Sequence, residues 1–293
     1  MRHRQPFREK GLTPQQQLET LSARGLHIED SQRARRHLEH INYHRLLPYW
    51  EGLLKGDGRF EPGSTFESVL RRYTFDRKLR LLMLDAIERL EVSIRSRWSN
   101  HMAVRHGPLC LAEAELFQDR RVHQRSYESL LHFYAGNEDE FVVRFRERYE
   151  RGQIPPIWIC SEMLTLGQLA HWLGNLRDPR DLHAVSFAYQ LERECFLSFL
   201  QHLTEVRNLA AHHSRLFNRK LPAFVLPAQV LENAEEGSIY NTIVMLDFLL
   251  SIISPGHSWT RRLAHSLKRH PDLPEEMGFP PGWHARPPFA ESV

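Results

Sequence analysis

Only three cysteines occur in 293 residues, Cys110, Cys160 and Cys195, and none forms a Cys-x-x-Cys pair. That spacing excludes a zinc ribbon and a redox dithiol, and the odd count suits a reducing compartment. Long hydrophobic runs are missing as well. The most apolar stretch, Ile243 to Ile253, contains Asp247 and is too short to span a bilayer. The opening residues Met1-Arg2-His3-Arg4-Gln5-Pro6 lack the apolar run of a signal peptide, so a cytoplasmic protein with no membrane partner is expected. Alternation of apolar and polar positions is nearly absent, which argues against sheets. Lysine is scarce too: 5 of the 39 basic residues, the other 34 being arginine. Arginine matches phosphate geometry, although a GC-rich genome gives the same bias. The net charge of +3 is too small to argue for nucleic-acid binding by itself.

What remains is helical periodicity throughout, with an apolar content of 41% that suffices for a core. The fold class read from this pattern is all-α. Thr13-Pro14 starts a first helix and Gly25 stops it, while Asp30 caps a second that reaches about His40. Glycines 52, 56, 58 and 63 with Pro62 make a loop. A long helical region then runs from Ser64 or Thr65 to Gly107-Pro108, with Leu79, Leu82, Met83, Ala86, Ile87, Leu90 and Ile94 on one stripe. Asp119 and Asn137 are the expected caps of the next two helices. Further helices are expected around 161–173, 179–189, 191–215 and 238–253. The Pro- and Gly-rich segment 271–293 reads as an extended or poorly ordered tail.

Beginning in the 191–215 helix and running past its end stands Arg207-Asn208-Leu209-Ala210-Ala211-His212-His213-Ser214-Arg215-Leu216-Phe217-Asn218-Arg219. Guanidinium can hold a phosphate oxygen and imidazole can move a proton near neutral pH, so the pair Arg207 and His212 can act on RNA without a metal. The bare spacing carries little weight. Chance gives roughly two Arg-x4-His pairs in such a chain, and two occur, the other being Arg35/His40. On an ideal helix Phe196, Phe199, Leu200, Leu203, Val206 and Ala210 share a face, with Arg207 near its middle. Asn208 and His212 lie on the polar side with Gln201 and Glu205. Arg207 and His212 are then ~140° apart. An arginine on an apolar stripe needs a partner or a cleft, and Glu88 and Glu91 are the candidates. A structural reading stands beside the catalytic one: Arg207-Asn208 as a buried anchor, and His213, near Val206 on the wheel, as a packing residue.

The segment from Arg207 to Arg219 resembles the signature of the abortive-infection (Abi) proteins of the AbiD/AbiF type, a bacterial phage-defence family. So do the blocks Gln17 to Leu26 and Ile41-Asn42-Tyr43-His44-Arg45-Leu46. Tyr73 to Arg80, Ile87 to Arg95 and Pro156-Ile157-Trp158 to Leu166-Gly167 also fit, so the resemblance covers roughly residues 10–255. The family is similar to the HEPN superfamily of all-α ribonucleases. The resemblance implies an antiparallel helical bundle over 61–255 carrying the motif, an N-terminal helical extension over 1–60, and a tail over 256–293. It implies a metal-independent endoribonuclease of toxin type, needing no cofactor and no metal, with catalytic Arg207 and His212 supported by Asn208 and His213. Arg215, Asn218 and Arg219 would contact RNA. It also implies a homodimer with composite sites, and an RNA or protein antitoxin. A non-catalytic RNA-binding protein of the same fold is the alternative, and a metal-dependent hydrolase the third.

Other clusters stay open at this point. Arg95, Arg97 and His101 could form a second ribonuclease motif. His101 and His106 could join His212 and His213 around a metal, although no His-x3-His pair with a matched acid is present. Two basic patches, Arg33/Arg35/Arg36/His37 and Arg71/Arg72/Arg77/Lys78/Arg80, could touch phosphate or be solvated surface. Tyr43, Tyr49 and Trp50 could stack bases, or belong to the core.

Overall fold

A computed structural model describes residues 10–149, 154–230 and 236–290. Among the described residues there are thirteen α-helices and no sheet; three isolated bridge pairs are the extent of the β structure. The fold is all-α. The chain divides between Lys78 and Leu79 into two compact units.

In the first unit, α1 (Pro14–Ala23) begins with a capping box. Thr13 and Gln16 satisfy each other's backbone N–H groups, as the Thr-Pro start predicts. Asp30 caps α2 (Ser31–His40) by accepting from the Arg33 N–H at 2.9 Å. Helix α3 (Tyr43–Trp50) buries Leu46, Tyr49 and Trp50. These aromatics are core: Trp50 lies against Tyr43 and Phe60, and the Tyr49 hydroxyl donates to the buried Asp76 carboxylate at 2.5 Å. Helix α4 (Phe66–His106) is one unbroken helix of 41 residues. The second expected basic patch is not a surface stripe, because Arg72 is buried beside the Ser68 carbonyl while Arg71 and Arg77 are exposed. In the first patch Arg33 and Arg35 pair with Glu67 and Glu39 at the surface.

The second unit is built on the α4 stripe, whose Leu79, Met83, Ala86, Ile87, Leu90 and Ile94 are buried while Leu82 is half-buried. Asp119 caps α5 (Arg120–Gly136) as expected. The cap of α6 (Glu140–Arg148) is Asp139; the expected Asn137 instead accepts from the Asp139 N–H at 2.8 Å. The helix expected over 161–173 is two, α7 (Ile157–Met163) and α8 (Leu166–Gly174). Thr165 separates them because it forms a capping box with Gln168, which starts a new helix at this point. Next come α9 (Pro179–Phe187) and α10 (Arg193–Ala211), the latter packed on α8 and α9. The α8–α10 crossing is close: a Cβ on Gly167 would stand 3.1 Å from Thr204 Cγ2.

The chain after α11 (Ile239–Ile253) corrects the expectation of an extended tail. It forms α12 (Trp259–Lys268) and α13 (Leu273–Glu276) and buries Trp259, Leu263, Leu267, Leu273, Phe279 and Phe289. Tyr240 packs on Phe279 with ring centroids 5.1 Å apart, and Trp283 on Phe289 at 4.9 Å. The Trp259 indole donates to the Leu82 carbonyl at 2.6 Å, and Arg262 pairs with Asp85. Aromatic anchoring thus orders a segment whose proline and glycine content reads as extended. No described helix is long and apolar enough to cross a membrane.

Candidate functional site

Helix α10 presents the motif. Its apolar face, Phe196, Phe199, Leu200, Leu203, Val206 and Ala210, is buried as the periodicity requires. His202 shares this buried face. Its Nδ1 donates to the Pro222 carbonyl at 2.8 Å, since a carbonyl only accepts, and its Nε2 accepts from the Thr242 hydroxyl at 2.9 Å. Burial pushes its pKa down to about 4, which keeps the ring neutral. Sequence reasoning passed over this residue; the available signal was an imidazole on an otherwise apolar stripe.

The helix does not continue to Arg215 as expected. It ends at Ala211, with His212 as the cap residue. The Ser214 N–H bonds the Leu209 carbonyl at 2.8 Å and the His213 N–H bonds that of Ala210 at 3.1 Å. This pair of bonds is a Schellman motif, which needs a left-handed residue, and His213 supplies it at φ 59°. Glycine usually takes that position, so the stop is concealed in the sequence. The break falls after His212, whose N–H still donates to the Asn208 carbonyl at 2.9 Å, so His212 keeps its helical position ~140° around the axis from Arg207. Its side chain is exposed, and hydrogen-bonded to no other described residue.

Arg207 is half-buried and Nη1 donates a long 3.4 Å bond to Asn208 Oδ1. Of the two candidate partners, Glu91 lies within reach of its charge. Burial pushes the Glu91 carboxyl up, and the guanidiniums of Arg95 and Arg207 oppose that shift. Glu91 pairs directly with Arg95, which also donates to the Leu164 carbonyl and faces Glu162 at 3.5 Å. Arg207 thus has an electrostatic anchor, and among the described residues no ion pair holds it. No hydrogen bond joins Arg207 to His212 among the described residues.

Beyond the break, Arg215 is half-buried, while Asn218 and Arg219 are exposed. Both line a polar pocket of about 180 Å³ that also contains Glu236, Glu275 and Glu276. Leu216 and Phe217 are buried and fix the run to the core. Gly237 allows the chain to return close by: a Cβ there would lie 2.6 Å from the Leu221 carbonyl oxygen.

Of Arg95, Arg97 and His101, Arg97 is exposed and the other two are engaged by different elements. Arg95 is tied to Glu91 and α7–α8, while His101 faces α9. His101 and His106 place their Nε2 atoms 2.8 and 2.9 Å from the two oxygens of Asp181, and Arg105 bridges Asp181 and Asp178. Burial alone raises the pKa of Asp181, but the hydrogen bonds from His101, His106 and Arg105 overcome it and hold the carboxylate ionised. The imidazoles therefore donate from Nε2, and they turn to Asp181 rather than toward His212 and His213. Among the described residues no group of three or more His, Cys, Asp or Glu side chains could hold a metal ion.

The family model described as "Abi-like protein" matches residues 36–218, more than half of the chain and all of the segment from Arg207 to Asn218. No curated protein and no solved structure matches.

Proposed function

Because the chain belongs to the Abi-like protein family, we propose that it is a phage-defence toxin of the abortive-infection type, a cytoplasmic metal-independent endoribonuclease. The observation that carries this reading is the break in α10. It leaves the His212 imidazole exposed and unengaged by other described residues, one turn after a half-buried Arg207 with a single long hydrogen bond.

The chemistry follows from these two groups. His212 removes the proton of the RNA 2′-hydroxyl. The 2′-oxygen bonds to phosphorus as the bond to the 5′-oxygen breaks, leaving a 2′,3′-cyclic phosphate and a 5′-hydroxyl. A second imidazole protonates the departing oxygen, and His212 of a second copy supplies it in a two-fold homodimer with facing motif helices. Arg207 stabilises charge on the phosphoryl oxygens. Proton transfer by a placed histidine is worth ~10²–10⁴ in rate, and a charge-stabilising donor ~10²–10³. Asn208 orients Arg207, and Arg215, Asn218 and Arg219 contact flanking RNA. A toxin of this kind needs restraint by an RNA or protein antitoxin.

The test is induction of wild type, Arg207→Ala and His212→Ala in a bacterial host, with cleavage by the purified proteins in excess EDTA. Growth arrest and RNA cleavage that both substitutions abolish support the reading. RNA bound but left intact by the wild type makes the protein a binding module. Cleavage lost in EDTA makes it a metal enzyme, and DNA cleaved as fast as RNA refutes the 2′-hydroxyl mechanism.

A further inference from the structure

Where α8 lies beside α5 and α10 it presents Gly167, Ala170 and Gly174. Two adjoining cavities of about 360 and 370 Å³ open there and share Val122 and His171. Together they have the size of a ligand groove. Several polar groups around them are already used. Gln168 caps α8, Asn175 bonds the Asp119 backbone with both ends of its amide, and the Thr204 hydroxyl donates to the Leu200 carbonyl. Four groups hydrogen-bond to no other described residue: the Gln201 amide, the Ser126 hydroxyl, the Arg125 guanidinium and Nε2 of His171. The Nδ1 of His171 donates to the Gly167 carbonyl at 2.8 Å, so Nε2 of the neutral ring is an acceptor.

We propose that this groove seats unpaired nucleotides of the RNA flanking the scissile phosphate, an inference that rests on the ribonuclease reading above. Gln201, Thr204, Asn208 and His212 follow one another at helical spacing along one side of α10 and its cap. At 1.5 Å per residue, Thr204 and His212 are ~12 Å apart along the axis, the reach of a short run of nucleotides. Small residues open a slot for a flat base. The Gln201 amide and the His171 acceptor are of the kind that reads unpaired base edges, and Arg125 at the α5 wall suits a phosphate. Exposed Glu205 on the same side of α10 repels phosphate, so bases rather than backbone face that helix. An apolar protein helix would find this rim too polar.

The experiment is fluorescence anisotropy with a single-stranded 2′-fluoro oligonucleotide of mixed sequence, which lacks the nucleophile and stays intact. Gly174→Phe fills the groove, since nothing lies within 4 Å of a Cβ at Gly174. It should weaken binding about five- to hundredfold, the worth of one stacked base. Gln201→Ala, at an exposed position, should weaken it about two- to tenfold. Equal binding by wild type, Gly174→Phe and Gln201→Ala overturns the groove. So does a Gly174→Phe protein that loses self-association by light scattering while its RNA affinity is unchanged, because a second copy then occupies the site. Cleavage of the all-ribose oligonucleotide is scored separately: its absence in wild type refutes the ribonuclease reading, while groove-dependent binding still supports the site.

Discussion

His202 makes the stability of the motif helix pH-dependent. Its ring is neutral in the fold, with Nδ1 donating to the Pro222 carbonyl and Nε2 accepting from Thr242, so a proton on Nε2 replaces an acceptor with a second donor. Burial takes the pKa from 6.5 to about 4. The unfolded chain therefore binds a proton that the folded chain refuses between those two values. Stability from this group is fully present above pH 6.5 and declines as the pH falls to about 4. At 1.36 kcal/mol per pKa unit the loss is about 3 kcal/mol. Denaturant unfolding across this range, for wild type and His202→Leu, isolates the contribution from that of the carboxylates common to both. His202→Leu should be less stable at pH 7, because the Pro222 carbonyl and Thr242 hydroxyl lose a partner. It should also have a shallower acid slope, closing the gap by about 3 kcal/mol at low pH. Parallel slopes in the two proteins would show that the imidazole does not titrate with the fold.

At the Schellman position, His213→Gly and His213→Ala both remove the imidazole, but only glycine fits φ 59° without strain. The glycine protein should be the more stable by about 1 kcal/mol in thermal or chemical unfolding. If both cleave RNA like wild type, the histidine serves the turn; a common loss of cleavage would give its ring a part in the chemistry. Burial pushes the thiols of Cys110 and Cys160 up to about 12, so neither should react with iodoacetamide near pH 8 until the protein unfolds, as mass spectrometry of pulse-labelled samples would show. Rapid labelling of the native protein would contradict their burial.

Much of the fold was legible because local chemistry and packing agree. Thr13, Asp30 and Asp119 cap where they stand before apolar periodicity, and the α10 stripe and all of the α4 stripe but Leu82 are buried. The α7–α8 boundary was hidden because Thr165 interrupts a run of otherwise continuous apolar spacing without a proline or glycine at the junction. The end of α10 was hidden for a related reason: a histidine takes the left-handed turn. The C-terminal segment misled because its composition signals extension, while the order there comes from a few aromatics meeting Tyr240. At the site, the burial of the α10 face around Arg207 was within reach of a helical wheel, whereas Glu88 and Glu91 stood as equal candidates for its partner. The Asp181 cluster and the groove over α8 were not, since both depend on helices distant in sequence coming side by side.

The peg between His202 and its two acceptor and donor partners carries a lesson about where this module ends. Pro222 and Thr242 lie outside the family-matched segment, as do the indole of Trp259 and the guanidinium of Arg262 that fasten onto α4. A chain trimmed after Arg219 would keep every residue of the motif yet strip the His202 imidazole of both its partners and bare much of the surface on which the motif helix rests. The portable signature is thus shorter than the smallest piece able to hold it in shape, and grafting or truncation should respect the longer boundary.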